Sequence, residues 1–313
     1  MSVDTRVRVG SVELRHAVMT ASGTAGYGTE LGAYLDLGAL GAVVTKSLAA
    51  FAWEGNPAPR LHPTPAGMLN SVGLQGPGVA SWLEHQVPAL AAAGATVVCS
   101  IWGRSVDEYR AAAELLAGAP ECIVAVEVNL SCPNLSGHGR AGMFAHDADL
   151  AAAAIAATAG CGRPRWAKLS PNTDRIVEVA EAVAGAGAEA VTLVNTLLGM
   201  AYDPDTLRPA LGSGANGGGL SGRAIHAVAV RIVHDVHRAL PDLPIVGVGG
   251  VGSGWDAAEL LLAGATAVQV GTASFAEPAA CARVATELEA WAVRHGVSAL
   301  GDIPGHAGPG AIA

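Results

Sequence analysis

Short apolar runs recur along the chain at 17–20, 41–46, 95–100, 123–129, 165–170, 190–195, 244–249 and 266–271, mostly bounded by glycine, proline or polar residues. Each has the length and β-branched content of a strand covered on both faces. Between most of them, segments 106–116, 148–159, 174–184, 223–239 and 255–263 carry alanine, leucine and charged residues at helical spacing. Several close on a Gly-Ala pair (Gly94-Ala95, Gly187-Ala188, Gly264-Ala265), the signature of a helix C-cap. Ahead of all this, residues 6–14 alternate Val7, Val9, Val12 and Leu14 around Gly10-Ser11, a hairpin able to plug one end of a larger fold. Eight such strand–helix units imply a parallel sheet, and closure into a (β/α)8 TIM barrel is the economical arrangement. A doubly wound open sheet is the alternative.

In a barrel the working face lies at the C-terminal ends of the strands. Those ends read Thr20-Ala21-Ser22-Gly23, Lys46-Ser47, Ser100, Asn129 with Cys132, Lys168-Leu169-Ser170, Asn195-Thr196, Gly249-Gly250 and Gly271-Thr272, so small, polar and nucleophilic residues share one rim. Stretches 61–77 and 197–222 are longer than a connection needs and rich in Gly, Pro and Asn, which predicts loops covering the site. The first contains Asn70-Ser71-Val72-Gly73-Leu74. After the seventh and eighth strands, Gly249-Gly250 and Gly271-Thr272 let the backbone approach a phosphate closely; otherwise they are tight turns. A dinucleotide fingerprint does not fit, because Gly247-Val248-Gly249-Gly250-Val251-Gly252 comes late and lacks the opening strand–helix–strand context.

At 313 residues, 51% hydrophobic and 14% charged, the chain reads as one domain, with the hairpin at about 6–14 and a Gly/Pro-rich, flexible tail at about 296–313. A net charge of -9 without a basic cluster argues against nucleic acid or an anionic membrane as partner. No stretch reads as a signal peptide or membrane span, which predicts a cytoplasmic protein. Five scattered cysteines without a C-x-x-C pair indicate neither a disulfide framework nor a metal or cluster site. Lysine is the outlier: beside 16 arginines stand only Lys46 and Lys168, each after an apolar run. A compact ammonium in two such places suggests a charged ligand oxygen or a ring nitrogen.

The most distinctive stretch is Glu127-Val128-Asn129-Leu130-Ser131-Cys132-Pro133-Asn134, a buried strand running into a loop with a thiol between two carboxamides. With a reference pKa of about 8.5, a cysteine can take a proton near neutrality once its neighbours tune it. Asn129 and Asn134 offer uncharged donors and acceptors, suited to an imide or ureide edge rather than a metal. Alternatively Cys132 is a small buried hydrophobe and the asparagines shape a turn.

Together with Met19-Thr20-Ala21-Ser22-Gly23-Thr24, Thr45-Lys46-Ser47, Asn70-Ser71-Val72-Gly73-Leu74, Lys168-Leu169-Ser170-Pro171-Asn172, Asn195-Thr196-Leu197 and Gly218-Gly219-Leu220-Ser221-Gly222, this stretch resembles the class 1 dihydroorotate dehydrogenases. The closest resemblance is to the catalytic subunit of the NAD-linked subtype, 1B. It implies an FMN-containing barrel that oxidises (S)-dihydroorotate to orotate in pyrimidine synthesis. Cys132 is then the base for the C5 proton while the C6 hydride passes to flavin N5. Lys46, Asn70, Ser71, Val72, Gly73, Leu74, Asn129, Asn134, Asn195 and Thr196 hold the substrate. Ala21, Ser22, Gly23, Lys46, Ser47, Ser100, Asn129, Lys168, Val194 and Gly222 contact FMN, with its phosphate at Gly249, Gly250, Gly271 and Thr272. The resemblance further implies a homodimer and a second subunit carrying FAD and a [2Fe-2S] cluster. The chain departs from the family at Ser100, where an asparagine is usual, and in a longer, glycine-rich 211–219 segment. Other readings are a fumarate-linked, class 1A-like enzyme, a flavin barrel for another dihydropyrimidine, and a barrel that only binds a phosphorylated ligand.

Overall fold

The computed structural model describes residues 3–130 and 144–305. A hairpin of β1 (Val7–Val9) and β2 (Val12–Leu14) is followed by β3 (Val18–Thr20) and β4 (Val43–Val44). Next come β5 (Leu61–Thr64), β6 (Gly67–Asn70), β7 (Val97–Ile101), β8 (Ile123–Asn129), β9 (Arg165–Lys168) and β10 (Ala190–Leu193). The last four strands are β11 (Leu197–Gly199), β12 (Gly218–Ser221), β13 (Ile245–Val248) and β14 (Ala267–Val270). The helices are α1 (Val79–His85), α2 (Val87–Ala92), α3 (Val106–Glu114), α4 (Ala148–Ala157), α5 (Ile176–Gly185), α6 (His226–Ala239), α7 (Gly254–Leu262), α8 (Ala273–Ala276) and α9 (Ala280–Arg294).

Eight strands form one sheet in the order β3-β14-β13-β10-β9-β8-β7-β4, every pair parallel. The sheet does not stay open. Its outer strands meet through Thr20 N to Ala42 O at 3.2 Å and Gly41 N to Val18 O at 2.9 Å. Thr20 Oγ1 also accepts from Val44 N at 2.8 Å, so the seam is bonded by side chain as well as backbone. Closure removes both edges and gives every strand neighbours on two sides. Both faces of the sheet are covered, as in β10, β13 and β14, where every residue is buried and most are aliphatic. Such a core supplies about 1.5–3 kcal/mol for each large aliphatic side chain withdrawn from water.

The predicted helices form with ends shifted by at most a few residues. Three start on a side-chain cap: Ser105 accepts from Glu108 N, Asp147 from Leu150 N and Ser253 from Asp256 N. The Gly-Ala pairs close helices as expected; at the end of α5, Gly187 N bonds Ala184 O and Ala188 N bonds Val183 O. No α-helix follows β3, where two short 3-10 segments, Glu30–Ala33 and Leu37–Ala39, make the crossover. α1, α2, α8 and α9 lie outside the predicted segments, although Cys281, Val284, Leu288 and Trp291 of α9 recur at helical spacing and are all buried.

Two expectations need correcting. Stretches 61–77 and 197–222 are not simple loops: β5, β6, β12 and β11 join into a four-stranded antiparallel sheet above the barrel. Glycine makes that possible, since a Cβ at Gly218 would stand 2.5 Å from Asn70 O and one at Gly219 2.1 Å from Thr196 Oγ1. The tail likewise does not detach at 296. Val297, Leu300 and Ile303 are buried, and Leu300 N bonds Asp4 O at 2.8 Å. The β1–β2 hairpin lies at the opposite end from the strand C-termini, where Ser11 N bonds the carboxylate of Glu189, the residue just before β10.

Thr20→Val keeps the shape of the seam but strands the buried Val44 N–H, so equilibrium urea unfolding should reveal a loss of about 1–3 kcal/mol. An unchanged midpoint would mean that the seam bond contributes nothing.

Candidate functional site

A cavity of about 1040 Å³, counted to its open mouth, lies at the C-terminal ends of the barrel strands beneath the four-stranded sheet. Of the residues singled out in the sequence, Ala21, Ser22, Gly23, Lys46, Ser47, Asn70, Val72, Gly73, Leu74, Asn129, Lys168, Val194, Asn195, Thr196, Gly222, Gly249, Gly250, Gly271 and Thr272 all line it. Convergence from separate strand ends onto one wall is what barrel closure produces. Cys132 and Asn134 lie outside the described residues.

Ser71 and Ser100 do not reach the wall. Ser100 is fully buried and bonds Ser47 Oγ at 2.9 Å, while Asn129 Nδ2 donates to the same Ser47 oxygen at 3.0 Å. Its short hydroxyl thus ties Ser47, which does line the cavity, instead of touching a ligand itself. Ser71 is buried behind the rim, where Asn56 Nδ2 donates to both its carbonyl and its hydroxyl at 3.2 Å.

The amide cluster is organised from below and from the side. Tyr109 Oη of α3 donates to Asn129 O at 2.7 Å, fixing the end of β8. Asn195 Nδ2 reaches Asn129 Oδ1 at 3.4 Å. Asn172 works behind them: its Nδ2 donates to Ser170 Oγ at 2.9 Å and Thr196 O at 3.0 Å, while its Oδ1 accepts from Leu198 N at 2.8 Å. On the far wall, Trp53 Nε1 donates to Gly73 O at 2.9 Å. Leu74 next to it adopts φ 59, a conformation of order 1–3 kcal/mol uphill for an ordinary residue. A segment held in such a state is over-determined by its surroundings, here by Trp53 and Asn56.

Charge enters the wall through two lysines. Lys168 is almost completely buried; its Nζ donates to Ser22 Oγ at 2.9 Å and stands 3.6 Å from Glu127 Oε1. Gly249-Gly250 and Gly271-Thr272 leave bare backbone on the wall. Gly250 has φ +71, and a Cβ there would lie 2.7 Å from His226 Cβ and 2.9 Å from Gly222 O, so no other residue fits. His226 Nδ1 donates to Gly249 O at 2.8 Å and steadies that turn.

Sequence reasoning missed several wall residues: Thr24, Leu61, Met68, Ser221, Ile225, Val248 and Phe275. Most are apolar or sit in the covering sheet, whose strands were read as loops. Glu127, His226 and Gln269 were missed as supports, although Glu127 stands inside the most distinctive motif.

Among the described residues, no group of three or more His, Cys, Asp or Glu side chains is disposed to hold a metal ion, and no helix is long and apolar enough to cross a membrane. The four described cysteines are free thiols, and burial pushes each of them up, Cys281 to about 11. None of them is disposed to act as a base near neutrality.

Seven of the eight barrel strands contribute their ends to one rim cavity, which makes this a (β/α)8-barrel of the enzyme type. Comparison with known proteins narrows it. The family model described as dihydroorotate dehydrogenase matches residues 5–291. The chain is 45% identical over 300 residues to "Dihydroorotate dehydrogenase B (NAD(+)), catalytic subunit" of Trichlorobacter lovleyi, covering 96% of this chain and 97% of that one. Proteins of the same description from Pelobacter propionicus and Desulforudis audaxviator are each 44% identical, over 97% and 98% of this chain and 99% and 98% of theirs. The chain belongs to the dihydroorotate dehydrogenase family.

With thiolate the reactive form, a thiol at about 11 is ionised in about one molecule per thousand at pH 8. Peptide mapping after iodoacetamide treatment of the native protein at pH 8 should find Cys99, Cys161 and Cys281 unlabelled. Labelling of any of the three at the rate of unfolded chain would contradict the burial argument.

Proposed function

We propose that this chain is the FMN-bearing catalytic subunit of an NAD-linked dihydroorotate dehydrogenase, a single barrel domain that oxidises (S)-dihydroorotate to orotate in UMP synthesis. The observation that carries the reading is that two lysines, a cluster of asparagines and bare glycine backbone line one cavity. A planar, phosphorylated cofactor with a small cyclic substrate against it needs that combination.

The wall fits FMN on its own terms. Gly249, Gly250, Gly271 and Thr272 would hold the phosphate on backbone N–H groups, where a Cβ at Gly250 could not be accommodated. Ala21, Ser22, Gly23, Lys46, Ser47, Asn129, Lys168, Val194 and Gly222 would hold the rest, with Ser100 acting through Ser47. Bound FMN supplies the acceptor for the hydride that leaves C6 of the substrate. Lys168 places a buried positive charge on the wall, where it favours an anionic form of a ligand ring. Lys46, Asn70, Val72, Gly73, Leu74, Asn129, Asn134, Asn195 and Thr196 would bind the pyrimidine edge and carboxylate, with Ser71 behind them. Neutral carboxamides suit a ring carrying both N–H donors and C=O acceptors, and their rigid support orients it before reaction. Cys132 takes the C5 proton, so that the C5–C6 bond becomes double as hydride and proton depart.

Electrons then leave through a second subunit carrying FAD and a [2Fe-2S] cluster, around a homodimer of this chain in the cytoplasm. Purified alone, the chain should be yellow, reduce an artificial dye with dihydroorotate, and fail to reduce NAD until such a subunit is added. Efficient NAD reduction by the single chain would remove the partner from the scheme, and turnover with fumarate would reassign the acceptor. In stopped-flow measurements Cys132→Ser should retain FMN yet reduce it at least about 10²-fold more slowly near neutral pH, the usual size of a general-base contribution. Undiminished flavin reduction would take the base role away from Cys132.

A further inference from the structure

The barrel interior carries a carboxylate that the proposed chemistry does not use. Glu127 on β8 is completely buried, as are Gln269 on β14 and Thr192 on β10, and Lys168 on β9 is nearly so. Gln269 Nε2 donates to Glu127 Oε2 at 2.8 Å, which anchors the carboxylate from across the barrel. The other oxygen, Oε1, accepts no hydrogen bond from the described residues, although Lys168 Nζ stands 3.6 Å away. The ammonium makes its short contact with Ser22 Oγ at 2.9 Å, on the cavity wall. Lys168 is therefore drawn toward the cavity, with the carboxylate beside it as a counter-charge.

A buried ion pair is a poor device for stability alone, since an apolar pair of similar volume serves as well or better. Here one partner lines the cavity and the other does not. With the carboxylate in place, a ligand feels a partly neutralised ammonium; without it, the full charge acts in a low-dielectric wall.

We infer that Glu127 is a positioning residue that tempers the Lys168 charge and thereby lowers the reduction potential of the flavin bound against it. This rests on the flavin reading of the cavity. The consequence is functional: a lower potential keeps the reduced flavin able to pass electrons on to a weak oxidant such as a nicotinamide-linked partner.

The test is potentiometric titration of the FMN-loaded protein, in wild type, Glu127→Gln, Glu127→Asp and Lys168→Met. Glu127→Gln, which removes the charge at nearly constant shape, should raise the equilibrium constant for two-electron reduction about tenfold, which is about 30 mV. Glu127→Asp, which keeps the charge, should stay within about threefold of wild type, and Lys168→Met should shift the constant the other way. A Glu127→Gln potential equal to or below wild type, while Lys168→Met lowers it, would overturn the inference and leave the flavin reading intact. No change in Lys168→Met would instead show that Lys168 does not face the flavin.

A second measurement needs no flavin. Because the chain has only Lys46 and Lys168, lysine labelled with carbon-13 at Cε gives two resonances. Glu127→Gln should move that of Lys168 and leave that of Lys46. A Lys168 signal unmoved by the loss of its counter-charge would refute the coupling directly.

Discussion

Everything at the rim depends on the hydrogen-bonded seam between the first two barrel strands. An all-parallel sheet buried on both faces cannot leave an edge unpaired without stranding a row of donors and acceptors. Thr20 closes the gap with its backbone and hydroxyl together. Once the sheet is a ring, the strand ends face a common centre, and residues from Ala21 to Thr272 become neighbours on one wall. In an open sheet, Ser22 and Lys168 would not meet.

The ring also explains how the site affords a buried lysine. β8 and β9 are neighbours in a register that pairs Asn129 with Lys168, while Glu127 lies two residues back along β8. Residues two apart on a strand share a face, so the same geometry that brings Asn129 to the cavity puts a carboxylate beneath it. Gln269, on a strand across the barrel, completes the arrangement. The recognition groups and the charge that tunes them are successive turns of one pleat.

Much of this was legible in the sequence because barrels write themselves in a simple code. Strands covered on both faces have no alternation to misread, and their C-terminal residues are rim residues by construction of the fold. Covering elements obey no such rule. β5, β6, β11 and β12 are short, half exposed and full of glycine and proline, so they read as loops although they form an ordered sheet. Ser100 was misassigned for a related reason: position at a strand end identifies the rim but not whether a short side chain reaches past its neighbour Ser47. A support residue such as Gln269 was out of reach, since its partner Glu127 is distant in the chain and meets it only across the closed barrel.

The covering sheet does more than roof the cavity. β12 pairs with β6 through Gly219 and Asn70, at the amide end of the cavity, and through Ser221 and Met68 further along. At that far end Thr272 Oγ1 donates to Ser221 Oγ at 2.8 Å, and Ala224 N bonds Ala66 O at 2.9 Å. A single strand therefore spans from the group that would grip a substrate to the group that would grip a phosphate. Its register fixes the distance between the two, which is the quantity a ring stacked on a phosphate-anchored cofactor requires. Glycine at 218 and 219 permits the close approach that keeps this register, because any side chain there would drive β12 away from Asn70 or Thr196. The glycine-rich character of the segment, which on its face suggests slack, is what lets the two ends of the site be held rigidly relative to one another.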